Sequence, residues 1–128
     1  MPDPIIFISR SRIAEGKLDA FVAAYRDAVP LIAETKPRTA VFAAYLDESR
    51  REVSILHVFP DAAAMLNHFE GSDERTASVV DVITLTGFEV FGPAPEAAVD
   101  MLRREAAANG FPIVVRRESI AGFVRPSA

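Results

Sequence analysis

TAVFAAYL (residues 39–46) and EVSILHVF (residues 52–59) are the two runs of sequence that decide the fold. Both are too short for ordinary helices and are rich in β-branched and aromatic side chains, and the charged run between them is a turn signal. Pro60 ends the second run, and Asp61 can cap a short helix over Ala62–Phe69. The stretch therefore predicts a β-hairpin followed by a short helix that closes over it.

A strand and a long helix precede this hairpin. The strand Ile5–Ile13 is apolar in its first half, and we interpret Arg10 and Arg12, which share one face of its second half, as a solvated strand end. The helix follows Gly16-Lys17, ends before Pro37, and is kinked or loses its last turn at Pro30. Its apolar stripe has helical spacing and consists of Leu18, Phe21, Val22, Tyr25, Val29 and Ile32.

The rest of the chain repeats helix and strand signals. Ser72 can cap a further helix through Val79 and Ile83, and a fourth strand is predicted over Thr86–Gly92. Pro93–Pro95 starts another helix, which Asn109-Gly110 ends. A fifth strand is predicted over 111–115, and Pro112 favours either an edge strand or the beginning of a strand. The tail 120–125 has apolar side chains and could return to the sheet.

This order of elements predicts an α+β protein with the ferredoxin-like split βαβ arrangement, an antiparallel sheet with helices on one face. We expect one domain over 1–128, with a core at 4–92 and a helix-strand extension at 93–128. Both faces of the hairpin strands are largely apolar, whereas a sheet covered on one side should be polar on the other. Two subunits packed sheet against sheet would explain this, and burying roughly 600 Å² per subunit is worth about 15 kcal/mol before association costs. We therefore predict a homodimeric α/β barrel.

Composition excludes several classes of function. The net charge of −4 and isolated arginine pairs argue against nucleic-acid binding. Without cysteine there is no disulfide framework, thiol nucleophile or cysteine-ligated metal. No signal peptide or apolar run of membrane-spanning length is evident, so a cytoplasmic protein with no membrane partner is expected.

Three stretches of the chain resemble a known family. They are Gly16-Lys17-Leu18 with Phe21, then Ile55–Phe69 followed by Ser72, and the closing strand Gly87–Gly92. Together they resemble the antibiotic-biosynthesis-monooxygenase-like proteins, dimeric α+β barrels that include quinol monooxygenases and haem-degrading monooxygenases. Phe59 stands where the family often has tryptophan, and Ser9 stands where the haem-degrading branch has asparagine. Haem degradation is therefore not expected.

The resemblance implies oxidation of a small phenol or quinol without metal, flavin or other cofactor. Such chemistry needs an apolar pocket, a proton acceptor and donors that stabilise the substrate anion. His57 could be the base, because its ordinary pKa lies near neutrality, and Asn67 and His68 could orient the substrate oxygen. The candidate pocket walls are Phe7, Phe42, Tyr45, Phe59 and Phe88. No third ligand accompanies the two histidines, so no metal site is predicted.

Each candidate also has a structural alternative. His57 could be a hydrogen-bonded core histidine, His68 could pack or cap a helix, Asn67 could be a surface residue, and the aromatic side chains could be plain core. Three functions follow: a monooxygenase or related small-aromatic enzyme, a non-catalytic dimer that binds a small apolar ligand, and a protein-interaction domain. An open pocket of roughly 300 Å³ or more favours the first two, and a pocket filled by phenylalanines favours the third.

Overall fold

The computed structural model describes residues 3–79 and 81–123, apart from the side chains of residues 73 and 76–78. These residues form five strands and four helices. In chain order the elements are β1 (Ile5–Ile13), α1 (Leu18–Thr35), β2 (Val41–Leu46), β3 (Glu52–Phe59), α2 (Ala62–Phe69), α3 (Ser72–Val79), β4 (Ile83–Phe91), α4 (Glu96–Asn109) and β5 (Ile113–Arg116).

The five strands form one sheet in the order β2-β3-β1-β4-β5. The first four pair antiparallel, which confirms the ferredoxin-like arrangement predicted from the hairpin. β5 pairs parallel to β4, so the sheet is mixed and the prediction of an antiparallel sheet is wrong at this edge. The reason is the crossover through α4, which returns the chain to the sheet in the direction of β4.

Three other predictions differ from the structure. α3 ends at Val79, and β4 begins at Ile83 because that residue continues the ladder with Ile13 of β1. α1 runs unbroken past Pro30, so the proline does not split off its last turn, and the alternative of a kink at Pro30 stays a prediction. In the tail, Ile120 and Phe123 are exposed and form no strand, and residues 124–125 lie outside the described residues.

Two helix signals are confirmed in detail. Asp61 caps α2, since its carboxylate accepts a hydrogen bond from the Ala64 amide at 2.9 Å. Gly110 ends α4 in the left-handed conformation, as the Asn109-Gly110 pair predicts.

The two faces of the sheet have different environments. The inner face packs on the helices through two clusters of buried side chains, one around Phe59, Met65 and Val99 and the other around Phe21 and Val53. The outer face carries no helix among the described residues. Its side chains include Ile6, Ile8, Val41, Ala43, Tyr45, Leu56, Val58 and Phe91, with Arg10 bonded to Glu89 at 2.8 Å and to Ser54 at 3.3 Å.

Within residues 3–79 and 81–123, no helix is long and apolar enough to cross a membrane.

Candidate functional site

A cavity of about 440 Å³ lies between the inner face of the sheet and the helices. Members of both core clusters line it. All four helices contribute to its wall, including α4 through Leu102 and Glu105. The aromatic side chains in the wall are Phe7, Phe21, Tyr25, Phe42, Phe69 and Phe88.

His57 is one of two histidines in the wall, and β3 holds it on the inner face of the sheet. Its Nδ1 lies 3.1 Å from the carbonyl oxygen of Phe7 on β1. Because a carbonyl only accepts, Nδ1 carries the hydrogen and Nε2 presents a lone pair. Burial lowers the pKa of His57 to about 4, with the charge of Arg75 acting in the same direction. The imidazole is therefore neutral at pH 7.

His68 is the other histidine, and α2 directs it toward the first. Its Nδ1 lies 2.8 Å from the Thr39 hydroxyl oxygen, just before β2. Burial lowers the pKa of His68 to about 3, with further lowering by repulsion from His57 when that ring is protonated and from the positive charges of Arg75 and Lys36. The two imidazole rings meet edge to face with their centroids 5.1 Å apart. The site thus holds two neutral imidazoles in contact, which can accept or donate protons but carry no charge of their own.

Phe7, Phe42 and Phe88 surround these rings in the cavity wall. Phe7 lies 4.8 Å from His57 and 5.2 Å from Phe88, measured between ring centroids. Phe42 lies 5.4 Å from His57 and 5.6 Å from His68. Strand alternation explains this, because Phe7 and Phe42 both pair with His57 in the sheet and therefore share its face.

Three other predicted residues do not line the cavity. Phe59 is fully buried in the core, where its ring packs 5.2 Å from His68. Asn67 is half-buried on α2 and uses its backbone carbonyl to accept a hydrogen bond from Lys36. Tyr45 is 61% exposed on the outer face, since it is an odd number of residues from Phe42 along β2. The prediction that Tyr45 lines the pocket is therefore wrong for the cavity within one chain.

Sequence reasoning missed a second group of polar wall residues. Ser9 and Ser11 lie on the inner face of β1, and Tyr25 lies within the apolar stripe of α1. Arg75 and Glu105 place opposite charges at the side of the wall formed by α3 and α4. The sequence did contain one sign of these residues: Ser9 and Ser11 share one face of β1 with the buried side chains Ile5, Phe7 and Ile13. Two polar residues on an otherwise apolar strand face indicate a polar part of the cavity wall.

Two of these polar groups have no hydrogen-bond partner among the residues that the structure describes. They are the hydroxyls of Ser11 and Tyr25, and both are buried. Burial also raises the pKa of Tyr25 to about 12, with a smaller contribution from Tyr45. The phenol therefore keeps its proton and is available as a donor.

The described part of the chain contains no group of three or more side chains that could hold a metal ion. The polar chemistry of the site is that of imidazole, hydroxyl, guanidinium and carboxylate groups.

Fold and site together define a class: an α+β protein with a ferredoxin-like sheet and a largely apolar cavity whose wall includes two neutral histidines. Neither a protein-family profile nor a curated protein sequence matches the chain. Solved structures do share its fold. MupZ from Pseudomonas fluorescens superposes with a TM-score of 0.73 at 20% identity, covering 98% of this chain and 97% of that chain.

Two further neighbours carry functional descriptions. SnoaB from Streptomyces nogalater, a cofactor-independent oxygenase solved as a variant, gives a TM-score of 0.59 at 14% identity and covers 70% of this chain and 91% of its own. A candidate antibiotic biosynthesis monooxygenase from Bacteroides thetaiotaomicron gives 0.56 at 21% identity and covers 65% and 83%. The resemblance stated from the sequence is thus confirmed at the level of fold.

Proposed function

We propose that this chain is a cofactor-independent monooxygenase that oxidises a small aromatic phenol or quinol inside the cavity. The observation that carries the proposal is the 440 Å³ cavity whose apolar wall includes the neutral pair His57 and His68. This volume lies within the range of small-molecule sites, roughly 300–1,000 Å³. The fold shared with a cofactor-independent oxygenase supports the same reaction class.

His57 is the proposed base. With Nδ1–H engaged by the Phe7 carbonyl, Nε2 carries the lone pair that would accept the phenolic proton of the substrate. The resulting imidazolium is stabilised only while the substrate anion lies beside it, because burial otherwise disfavours its charge. The proton therefore returns when the anion is consumed.

The aromatic wall then serves the oxidation. The electron-rich substrate anion reduces O₂ itself: one ring carbon exchanges its C–H bond for a bond to one oxygen atom. The other oxygen atom leaves as water with the two hydrogens that the substrate gives up, and the product is a quinone, so all four electrons come from the substrate. The apolar rings of Phe7, Phe42 and Phe88 lower the polarity around the substrate oxygen, which strengthens the hydrogen bonds made to it. His68 is proposed to orient that oxygen, with Thr39 fixing the ring of His68.

A non-catalytic binder of small apolar molecules is the second candidate. It is favoured by the low pKa values of both histidines, since an imidazole with a pKa of about 4 is a weak base. The cavity argues against a purely protein-interaction domain, because Phe42 and Phe88 line the space without filling it.

Oxygen uptake separates the two candidates. Chelator-treated protein is offered a panel of naphthols and quinols in an oxygen electrode. We expect uptake with at least one of them, a loss of about 100-fold in His57→Ala, and a loss of about tenfold in His68→Ala. Leu66→Ala, on the exposed side of α2, should keep its rate. Binding without uptake across the panel would establish the non-catalytic candidate instead.

We also propose that the protein is a homodimer formed through the outer face of the sheet. Ile6, Ile8, Leu56 and Val58 occupy adjacent positions on that face and are only partly buried within the described chain. A second copy would shield them from water, and the cavity would then lie within each half of a barrel. The cytoplasmic location inferred from the sequence stays a prediction.

A further inference from the structure

We propose that the cavity recognises a second, uncharged oxygen atom of its ligand through the hydroxyls of Tyr25 and Ser11. The ligand would then be a flat aromatic molecule with oxygen atoms at two opposed ends, one at His57 and one at Tyr25. This inference deepens the proposed function and rests on it only for the placement of the first oxygen at His57.

The inference starts from the two hydroxyls without partners. Ser11 is 1% exposed, and neither its oxygen nor that of Tyr25 has a hydrogen-bond partner among residues 3–79 and 81–123. Buried polar groups almost always have a hydrogen-bond partner, because a group without one loses its hydrogen bonds to water and gains none in the protein. Both side chains lie in the wall of the same cavity. A ligand oxygen is therefore the partner that the fold leaves room for.

The surroundings of Tyr25 restrict the chemistry of that oxygen. Its ring packs on Phe21 at 6.0 Å and on Phe42 at 5.2 Å, within the cluster that also contains Ile13 and Val53. These neighbours offer no positive charge to a carboxylate or phosphate, and burying an unpaired anion there would be costly. A carbonyl, ether or hydroxyl oxygen can accept a hydrogen bond from either hydroxyl at no such cost.

Phe42 relates the two ends of the site. Its ring stacks on Tyr25, with the two centroids 5.2 Å apart, and its centroid lies 5.4 Å from that of His57. A ligand ring that packs against Phe42 can therefore direct one oxygen toward each end. Para-disubstituted aromatics such as quinols have this shape, whereas a simple naphthol leaves the Tyr25 end without an acceptor.

Anaerobic calorimetry tests the inference without turnover. The probes are 4-methoxy-1-naphthol and 4-ethyl-1-naphthol, which match in size and differ in the acceptor oxygen. We expect the protein to bind the methoxy compound about tenfold more tightly, and Tyr25→Phe to reduce this preference to within about twofold. Tyr45→Phe, which removes the exposed tyrosine hydroxyl on the other face, should keep the preference. Equal binding of the two probes by the unaltered protein would overturn the inference.

Thermal unfolding of the ligand-free protein gives an independent readout. If the two hydroxyls are buried without hydrogen bonds in the ligand-free protein, removing either one removes an unpaired polar group. Tyr25→Phe and Ser11→Ala should then each raise the melting temperature by about 3 °C. If water or protein already satisfies them, both variants should melt at the same or a lower temperature, which would overturn the inference. These results stand apart from the monooxygenase proposal: tight, selective binding without oxygen uptake would refute only the latter.

Discussion

His57 and His68 are the only two histidines of the chain, and burial lowers the pKa of both. An exposed histidine has a pKa near 6.5, so these two stay uncharged at a pH at which an exposed one would already be protonated. This links the site to the stability of the whole fold. The unfolded chain takes up protons below pH 6.5, whereas the folded chain takes them up only near pH 4 at His57 and pH 3 at His68. The depressed pKa values therefore leave stability intact above pH 6.5 and lower it as the solution is acidified.

We expect the free energy of unfolding to fall by about 2–4 kcal/mol between pH 7 and pH 5, at up to about 1.4 kcal/mol per pH unit for each histidine. Urea unfolding followed by circular dichroism at several pH values measures it. His68→Asn keeps every carboxylate and removes one titrating imidazole, so its pH dependence should be about half as steep. Equal stability of the unaltered protein at pH 7 and pH 5 would contradict the burial described for this pair.

Strand alternation predicted part of the site at the level of residues. The sequence named His57 as the candidate base and Phe42 as a candidate wall residue, and the structure pairs them across β2 and β3, so that they share the face that lines the cavity. Tyr45 could have been assigned to the outer face by the same rule. Tyr25 was missed because a tyrosine in an apolar helical stripe is usually a core residue, and only the three-dimensional packing shows that its hydroxyl has no hydrogen-bond partner among the described residues.

Among the elements, α4 and β5 were the hardest to relate to the site from sequence. The helix was predicted with its correct end at Gly110, but periodicity does not tell which neighbour a helix packs against. In the structure Val99 and Leu102 are buried in the core, and Leu102 and Glu105 line the cavity. The extension thus forms part of the site wall, and the parallel pairing of β5 follows from the crossover that places α4 there.

Gly92 joins this extension to the sheet and supports a prediction about the elements. It has φ of +95°, and a Cβ at this position would collide with the carbonyl oxygen of Pro4 and lie 3.3 Å from Cα of Ile5. We expect Gly92→Ala to lower the free energy of unfolding by about 3 kcal/mol, through backbone strain and displacement of the start of β1. Denaturant unfolding provides the value.

Gly110→Ala is the matched control. Gly110 has a similar positive φ of +72°, but a Cβ added there would meet no atom within 4 Å, so its replacement should cost only about 1 kcal/mol. A loss at Gly92 no larger than the loss at Gly110 would show that the contact between the end of β4 and the start of β1 is looser than described.

For the whole molecule, the outer sheet face predicts the assembly. Light scattering at micromolar concentration should give about twice the 13.9 kDa mass of one chain. Leu56→Arg places a charge among the outer apolar residues and should shift the mass to that of one chain, with the circular dichroism spectrum unchanged. Leu31→Arg, at a 63% exposed position on α1, should remain dimeric. A single-chain mass for the unaltered protein would reject the dimer.

The ferredoxin-like architecture was predictable because each half repeats strand, helix and strand with clear turn signals. The cavity was not, since its volume depends on how far the helices stand from the sheet rather than on any pattern along the chain. The substrate could not be predicted from the sequence either, because the structural neighbours, at 14–21% identity, share the fold alone.

Turnover of a naphthol or quinol under ¹⁸O₂ by chelator-treated protein tests the central claim most directly. We predict a product that carries one labelled oxygen atom by mass spectrometry, formed by the unaltered protein and almost absent with His57→Ala. An unlabelled product, or labelled product formed equally by His57→Ala, would contradict the assignment of this cavity as the oxygenation site.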